Sequence, residues 1–448
     1  MMAFVASMAD EDLTAADTAA STRTTARRPA AGAAPEPDAA RRQRLLLIVG
    51  LVIAALNLRP AITSLGPLMK EVRDDLGMSG TLAGLLTSVP TLCFAVFGLA
   101  APRLARRWGP AAVVCAGMVA ITAGLAVRPY AGGTVGFLAL SALALAGIAV
   151  SNILMPVIVK RWFPDRVGPT TGIYSMAMSA GTSLAAAATV PMTDALGGSW
   201  RLGLGIWALL GAAAALVWLA VARSRTARTT NAADRQAAPT AGTAPAGAGV
   251  RITRSPTAWA LAVFFGLQAT GAYITMGWMP QIFRDAGVSA STAGVLLAMT
   301  MLMGVPLSFV LPRLAARLPN QGILVIVLAA FGLTGYTGLW LAPAAGAWVW
   351  ALLLGVSNCA FPLALTMIGM RARSGAGVVR LSAFAQSTGY LLSIPGPLLV
   401  GALYERTGGW DLPIALMAAL MVPQAVAGVL AGRDRTVEDE TGPAAPTA

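Results

Sequence analysis

The stretch "AGLLTSVPTLCFAVFGLAAPRLARR" (Ala83–Arg107) returns in the second half of the chain as "AGVLLAMTMLMGVPLSFVLPRLAAR" (Ala293–Arg317). Both copies are apolar for most of their length, and both end in "PRLA-x-R". A second echo pairs "VSNILMP" (Val150–Pro156) with "VSNCAFP" (Val356–Pro362). The first pair falls in the second and eighth apolar runs, the second pair in the fourth and tenth. Matched order with matched motifs predicts two parallel copies of one six-helix unit.

Working outward, twelve apolar segments are read at 45–69, 81–101, 111–128, 134–159, 170–192, 200–222, 256–280, 290–311, 321–341, 346–369, 380–402 and 411–431. About 20 apolar residues cross the hydrocarbon of a bilayer as a helix. The chain is 56% hydrophobic and 11% charged, where a soluble globular protein carries about 25% charged residues. That composition argues against a soluble enzyme. The expected fold class is an all-α membrane protein of twelve transmembrane helices in two pseudo-symmetric bundles. The expected organisation is a disordered tail over 1–44, a first bundle over 45–222, a linker over 223–255, a second bundle over 256–431 and a disordered tail over 432–448. The linker is polar, basic and rich in Ala, Pro and Gly.

Charge sets the expected orientation. Of 32 lysines and arginines, 25 fall in the tails, the linker and the loops on the tail side, and six fall in the opposite loops, Arg128 among them. The excess predicts cytoplasmic tails in a plasma-membrane protein. It also accounts for the net charge of +13 without nucleic acid, because a basic face beside anionic lipid suffices. "MADEDLTAAD" near the N-terminus is acidic and lacks the apolar core of a secretory signal.

Little chemistry is written into the chain. It has no histidine. Cys93, Cys115 and Cys359 are scattered through apolar runs with no metal or disulfide spacing. No phosphate-binding loop of the G-x-x-x-x-G-K-[ST] type is present. No catalytic residue, metal or cofactor is expected.

One residue breaks the apolar pattern. In "LNLRPAITSLGPLM" (Leu56–Met69), Arg59 lies roughly 21 Å along a helix from Leu45 and roughly 15 Å before Met69, at about 1.5 Å per residue. An arginine at the centre of a membrane helix costs about 2.5–3.5 kcal/mol on insertion scales. No Asp or Glu lies near the middle of any predicted span. The missing counter-ion points to an anionic substrate, since a guanidinium offers a planar fork of donors to a carboxylate-like group. The competing reading is a structural arginine held by carbonyls and water. Pro60 removes an amide hydrogen and disfavours helix at Arg59. A break beside a charge is common in transporter binding sites, although an ordinary proline kink has the same signature.

Four stretches resemble the major facilitator superfamily, and within it the cyanate permease and 2-nitroimidazole transporter family. They are "LNLRPAITSLGPLM", "PRLARRWG" (Pro102–Gly109), "FFGLQATGAYITMGWMPQIFRDAG" (Phe264–Gly287) and "LSAFAQSTGYLLSIPGPLLVGALYERTGGW" (Leu381–Trp410). Two departures stand out. Where the superfamily's loop after the second span has an Asp four residues beyond its Gly, this chain has Pro102 after Gly98. The glycine-rich fifth-span motif of proton-driven drug antiporters is absent. Both lower the drug-efflux reading.

The resemblance implies a cavity lined by the first, fourth, seventh and tenth spans, with the eleventh nearby. Candidate substrate-binding residues are then Arg59, Asn152, Gln268, Tyr273, Asn358, Gln386 and Tyr390, with Pro60 as the helix break. Each asparagine has an equal alternative as an interhelical hydrogen bond. Trp278 reads as an interfacial belt residue, with a cap over the cavity as the alternative. The expected function is secondary or facilitative transport of a small, anionic solute by a monomer in the lipid bilayer. The alternatives are multidrug or metabolite efflux, and a non-transporting membrane sensor.

Overall fold

In the computed structural model, residues 38–223 and 252–441 are described, and among them all regular structure is helical. The expected N-terminal tail up to residue 37, the linker over 224–251 and the end of the C-terminal tail after 441 lie outside the described residues.

The first half runs α1 (Asp38–Asn57), α2 (Pro60–Thr63), α3 (Met69–Leu76), α4 (Gly80–Trp108), α5 (Pro110–Val127), α6 (Thr134–Trp162), α7 (Val167–Ala195), α8 (Trp200–Gly205) and α9 (Trp207–Arg223). The second runs α10 (Pro256–Asp285), α11 (Ala290–Leu302), α12 (Gly304–Arg317), α13 (Gly322–Leu341), α14 (Ala347–Asn358), α15 (Ala360–Met370), α16 (Gly375–Ser393), α17 (Pro395–Thr407) and α18 (Asp411–Ala431). A short α19 (Val437–Thr441) follows. Among the described residues, eleven helical segments are long and apolar enough to cross a membrane. The remaining predicted span is α16–α17, interrupted at Ile394 before Pro395 and diluted by Arg380, Gln386 and several hydroxyls. The fold is an all-α multi-pass membrane protein in two bundles.

Side chains such as Val135, Leu341 and Leu209 stand at least 70% exposed. On a soluble protein they would be a liability; here they face lipid. Lipid gives helices no hydrophobic reason to associate, so close packing falls to small residues. A Cβ on Gly147 of α6 would lie 2.4 Å from the carbonyl oxygen of Gly117 in α5. One on Gly181 of α7 would lie 2.2 Å from the Leu56 carbonyl in α1. Ser79, Ser255, Ser289 and Ser374 cap α4, α10, α11 and α16, each hydroxyl accepting a backbone N–H of the first turn.

The two halves close on each other at the end away from the tails. Gly80 and Gly84 of α4 meet Gly401 and Pro397 of α17, where a Cβ on Gly401 would lie 2.2 Å from the Gly80 carbonyl. Arg284 of α10 forks onto Glu71 of α3 at 2.7 and 2.8 Å and also donates to the Pro67 carbonyl at 2.8 Å. Glu405 of α17 accepts the Thr81 amide at 2.8 Å and its hydroxyl at 2.6 Å. Arg73 lies over the Tyr404 ring, 5.4 Å from its centroid.

At the tail end, residues 432–441 fold back on the bundle although their composition reads as a tail. Their acidic groups cap helix starts. Glu440 accepts from the Ser255 hydroxyl, and from the Thr257 hydroxyl and amide at 2.6 and 3.1 Å, at the start of α10. Glu438 accepts the amides of Arg373 and Ser374 at 3.1 and 3.3 Å, at the start of α16. Arg371, buried, donates to the carbonyls of Ala431 and Gly432 at 2.9 Å and to Gln321.

Two residues sit differently from their sequence reading. Trp278 is fully buried, packed against Trp410 and Tyr404 at ring distances of 5.8 and 6.1 Å, so it is no lipid-facing belt residue. Arg128, counted with the loops, lies in a 3-10 turn after α5 and is only 2% exposed. The first turn after Pro60 covers it.

Candidate functional site

The first span is interrupted midway. Helix α1 ends at Asn57 and α2 begins at Pro60, leaving Arg59 in the joint with φ −125° and ψ −26°. Pro60 has no amide hydrogen to give, so the helix restarts there rather than continuing. The Arg59 carbonyl is nonetheless satisfied. It accepts the amides of Ile62 and Thr63 at 2.9 and 3.1 Å and the Thr63 hydroxyl at 3.2 Å. The break is therefore a built joint, not frayed backbone.

The Arg59 side chain is half-buried and turned toward tyrosines. It interacts with the Tyr273 hydroxyl from α10 and lies within electrostatic reach of Tyr174 in α7 and Tyr390 in α16. Three of the chain's six tyrosines thus gather around one guanidinium. Among the described residues no carboxylate pairs with it. Tyr174 in turn donates to Asn152 Oδ1 of α6 at 2.6 Å, so Asn152 joins the group through Tyr174. Tyr390 stacks on Phe94 of α4 at 5.1 Å and meets Phe265 edge-on at 5.1 Å. That stack bridges the halves beside the site.

Two of the other sequence candidates, Gln268 and Asn358, meet each other. Gln268 of α10 is buried and donates to the Asn358 side chain at 2.9 Å and to its carbonyl at 3.0 Å. Its own oxygen accepts Gln424 of α18 at 2.8 Å. Both ends of Gln268 are committed to helix pairing. Gln386 donates to Ser382 one turn back in α16 at 2.7 Å. Asn152 and Asn358 are equivalent in the repeat but differ in setting. The former is inside the unbroken α6, and the latter closes α14 just before the break at Cys359.

Sequence reasoning missed Tyr174, Phe94 and Gln424. Tyr174 and Gln424 were open to the rule that flagged Tyr273 and Gln268, a polar tip inside an apolar span. Phe94 carried no such signal. Asn57, fully buried, also went unread; it donates to Met118 Sδ at 3.5 Å and its Oδ1 has no partner.

The structure thus brings together a half-buried cation at a helix joint, three tyrosines within its electrostatic reach and two halves that touch at one end. The sequence matches the Major Facilitator Superfamily family model over residues 45–379. The chain belongs to the Major Facilitator Superfamily. This facilitator is 34% identical to the 2-nitroimidazole transporter of Escherichia coli (strain K12), a match covering 88% of this chain and 98% of that protein. It is 29% identical to the cyanate transport protein CynX of the same organism, over 84% of this chain and 94% of that one. Its fold is similar to the crystal structure of a bacterial homologue of the human lysosomal transporter Spinster in an inward-facing, occupied conformation. That likeness has a TM-score of 0.68 at 15% identity and covers 87% of this chain and 96% of that one. The facilitator is a secondary transporter working by alternating access, not an enzyme.

Proposed function

We propose that this facilitator carries a small anion, or a neutral solute presenting a planar pair of oxygens, and that Arg59 is its anchor. The observation that carries this is the Arg59 side chain at the joint of the first span, facing Tyr273 with no carboxylate partner among the described residues. A cation held in low dielectric attracts an anion far more strongly than one in water. Two parallel N–H donors fit two coplanar oxygens. One relative is named for cyanate, an anion. Another is named for 2-nitroimidazole, whose nitro group offers two coplanar oxygens in the shape of a carboxylate.

The Tyr273 hydroxyl and the amide nitrogen of Asn152, whose oxygen is held by Tyr174, complete the donor set. Gln268 and Asn358 support it by fixing α10 against α14 and α18. With the tails cytoplasmic, as the charge distribution favours, the far-end contacts form an outer gate and the site opens inward across the plasma membrane. The bundles over 45–222 and 256–431 rock about this site as a monomer. Release of the Arg284–Glu71 and Thr81–Glu405 contacts then accompanies outward opening.

The test is counterflow in proteoliposomes. Vesicles loaded with cyanate, nitrate, formate, benzoate or 2-nitroimidazole, or with a cation or an apolar drug lacking such a pair of oxygens as controls, are challenged with the same labelled solute. Saturable exchange of at least one solute other than the controls, lost in Arg59→Ala, supports the reading. Exchange of a control with none of the others rejects it.

A further inference from the structure

We propose that Arg128 and Ser141 form a second anion-binding station, on the far side of the broken first span from Arg59. The proposal rests on the anion reading given above and extends it from one station to two.

Arg128 is 2% exposed, yet its guanidinium is almost unspent. Nη1 donates to the Ala61 carbonyl at 3.1 Å, and the group lies 5.6 Å from the Phe137 ring centroid. Its Nε and Nη2 are buried and have no hydrogen-bond partner. Among the described residues no carboxylate pairs with it. A buried guanidinium left in that state is costly, because buried charges are ordinarily paired and hydrogen-bonded. Ser141 of α6 is also buried, and its Oγ is likewise unpartnered.

Both residues line one cavity, with Ala61, Thr87, Tyr273 and Gly277. It offers about 20 Å³ to the centre of a water molecule, room for one water or for the end of a small linear anion. Its walls come from both halves. A Cβ on Gly277 would lie 2.4 Å from Thr87 Cγ2, so these two wall residues also close the far-end contact. Parting α4 from α10 widens this cavity. Tyr273 belongs to both places, since its hydroxyl meets Arg59 and its side chain lines the Arg128 cavity. The joint that presents Arg59 supplies, two residues on, the Ala61 carbonyl that holds Arg128. Two guanidinia therefore flank one broken turn, with Tyr273 between them. A small anion leaving Arg59 outward meets Arg128 next.

The experiment titrates the purified full-length protein with sodium cyanate, and in parallel with thiocyanate, nitrate and formate, against sodium gluconate at constant ionic strength, reading thermal stability. The proteins are wild type, Arg59→Met, Arg128→Met, the double variant, and Ser141→Ala in the Arg59→Met background. Arg59→Met is expected to keep a weaker saturable stabilisation. Adding Arg128→Met removes it, and adding Ser141→Ala weakens it about tenfold, the usual worth of a hydrogen bond to a charged group. The serine variant preserves the test if the double variant does not fold. Complete loss of saturation in Arg59→Met alone, with wild type responding, overturns the second station and leaves the first. An unchanged response in the double variant, or in the serine variant where the double variant does not fold, means the Arg128 cavity holds only water. A wild type indifferent to cyanate, thiocyanate, nitrate and formate overturns both stations.

Discussion

Gln268 gives one amide nitrogen to both oxygens of Asn358, at 2.9 and 3.0 Å, while its own oxygen accepts from Gln424 at 2.8 Å. Three spans are tied at one buried side chain.

Gln268→Ala is therefore expected to lower stability more than affinity. It strands the Gln424 and Asn358 polar groups in a dry interface, at about 1–3 kcal/mol for an unsatisfied buried group. A fall in melting temperature with an unchanged half-saturation for transport is the expected pair of results. A normal melting temperature with weakened half-saturation would place Gln268 in the binding site itself.

The far-end gate rests partly on Glu71 and Arg284. Their side chains are 36% and 14% exposed, so solvent screens the pair, and its worth is about 1 kcal/mol. Glu71→Gln should shift the balance toward the open far end by about fivefold. A cysteine placed at Thr87, in a variant lacking Cys93, Cys115 and Cys359, reports this as faster labelling from the far side. Equal labelling rates would show that the α4–α17 packing holds the gate without the ion pair.

The acidic segment around α19 predicts a pH effect at the tail end. Burial pushes the Glu438 carboxyl up, but the amides of Arg373 and Ser374 and the Ser374 hydroxyl pull it further down, leaving it below its usual value. A depressed carboxylate adds stability that is complete above its unfolded value, about 4.3, and is lost as pH falls through the lower folded value. The advantage of wild type over Glu438→Gln should be constant above about pH 5 and shrink below about pH 4. An advantage that persists unchanged at pH 3 would mean the carboxylate charge contributes nothing.

The span pattern was legible because lipid imposes the same demand on every crossing segment, an apolar run with its backbone bonded internally. The breaks at Ile206, Met303 and Cys359 were not, since no proline follows them directly, whereas the one at Ile394 precedes Pro395 and had a local signal. Arg59 stood out as a charge inside an apolar run with proline behind it. Arg128 did not, because it ends an apolar run and precedes Pro129, which reads as a loop. Only the fold shows that Ala61 and Phe137 cover it. Likewise, nothing local to Gln268 or Asn358 says that they face each other.

Arg59 separates the anchor reading from a structural one. Arg59→Ala removes both charge and fork, and Arg59→Lys keeps charge but loses the fork. If the substrate is the counter-ion, alanine abolishes saturable anion transport while the protein stays folded, and lysine retains little activity, because an ammonium does not replace a bidentate site. Tyr273→Phe, which removes only the hydroxyl facing Arg59, should weaken half-saturation by about tenfold, as for one hydrogen bond to a charged group. The empty alanine variant should melt no lower than wild type, since the side chain it loses costs energy to place in the membrane. The structural reading predicts the reverse. Melting temperature and uptake on the same purified variants decide. Normal half-saturation in a well-folded Arg59→Ala protein would refute the anchor.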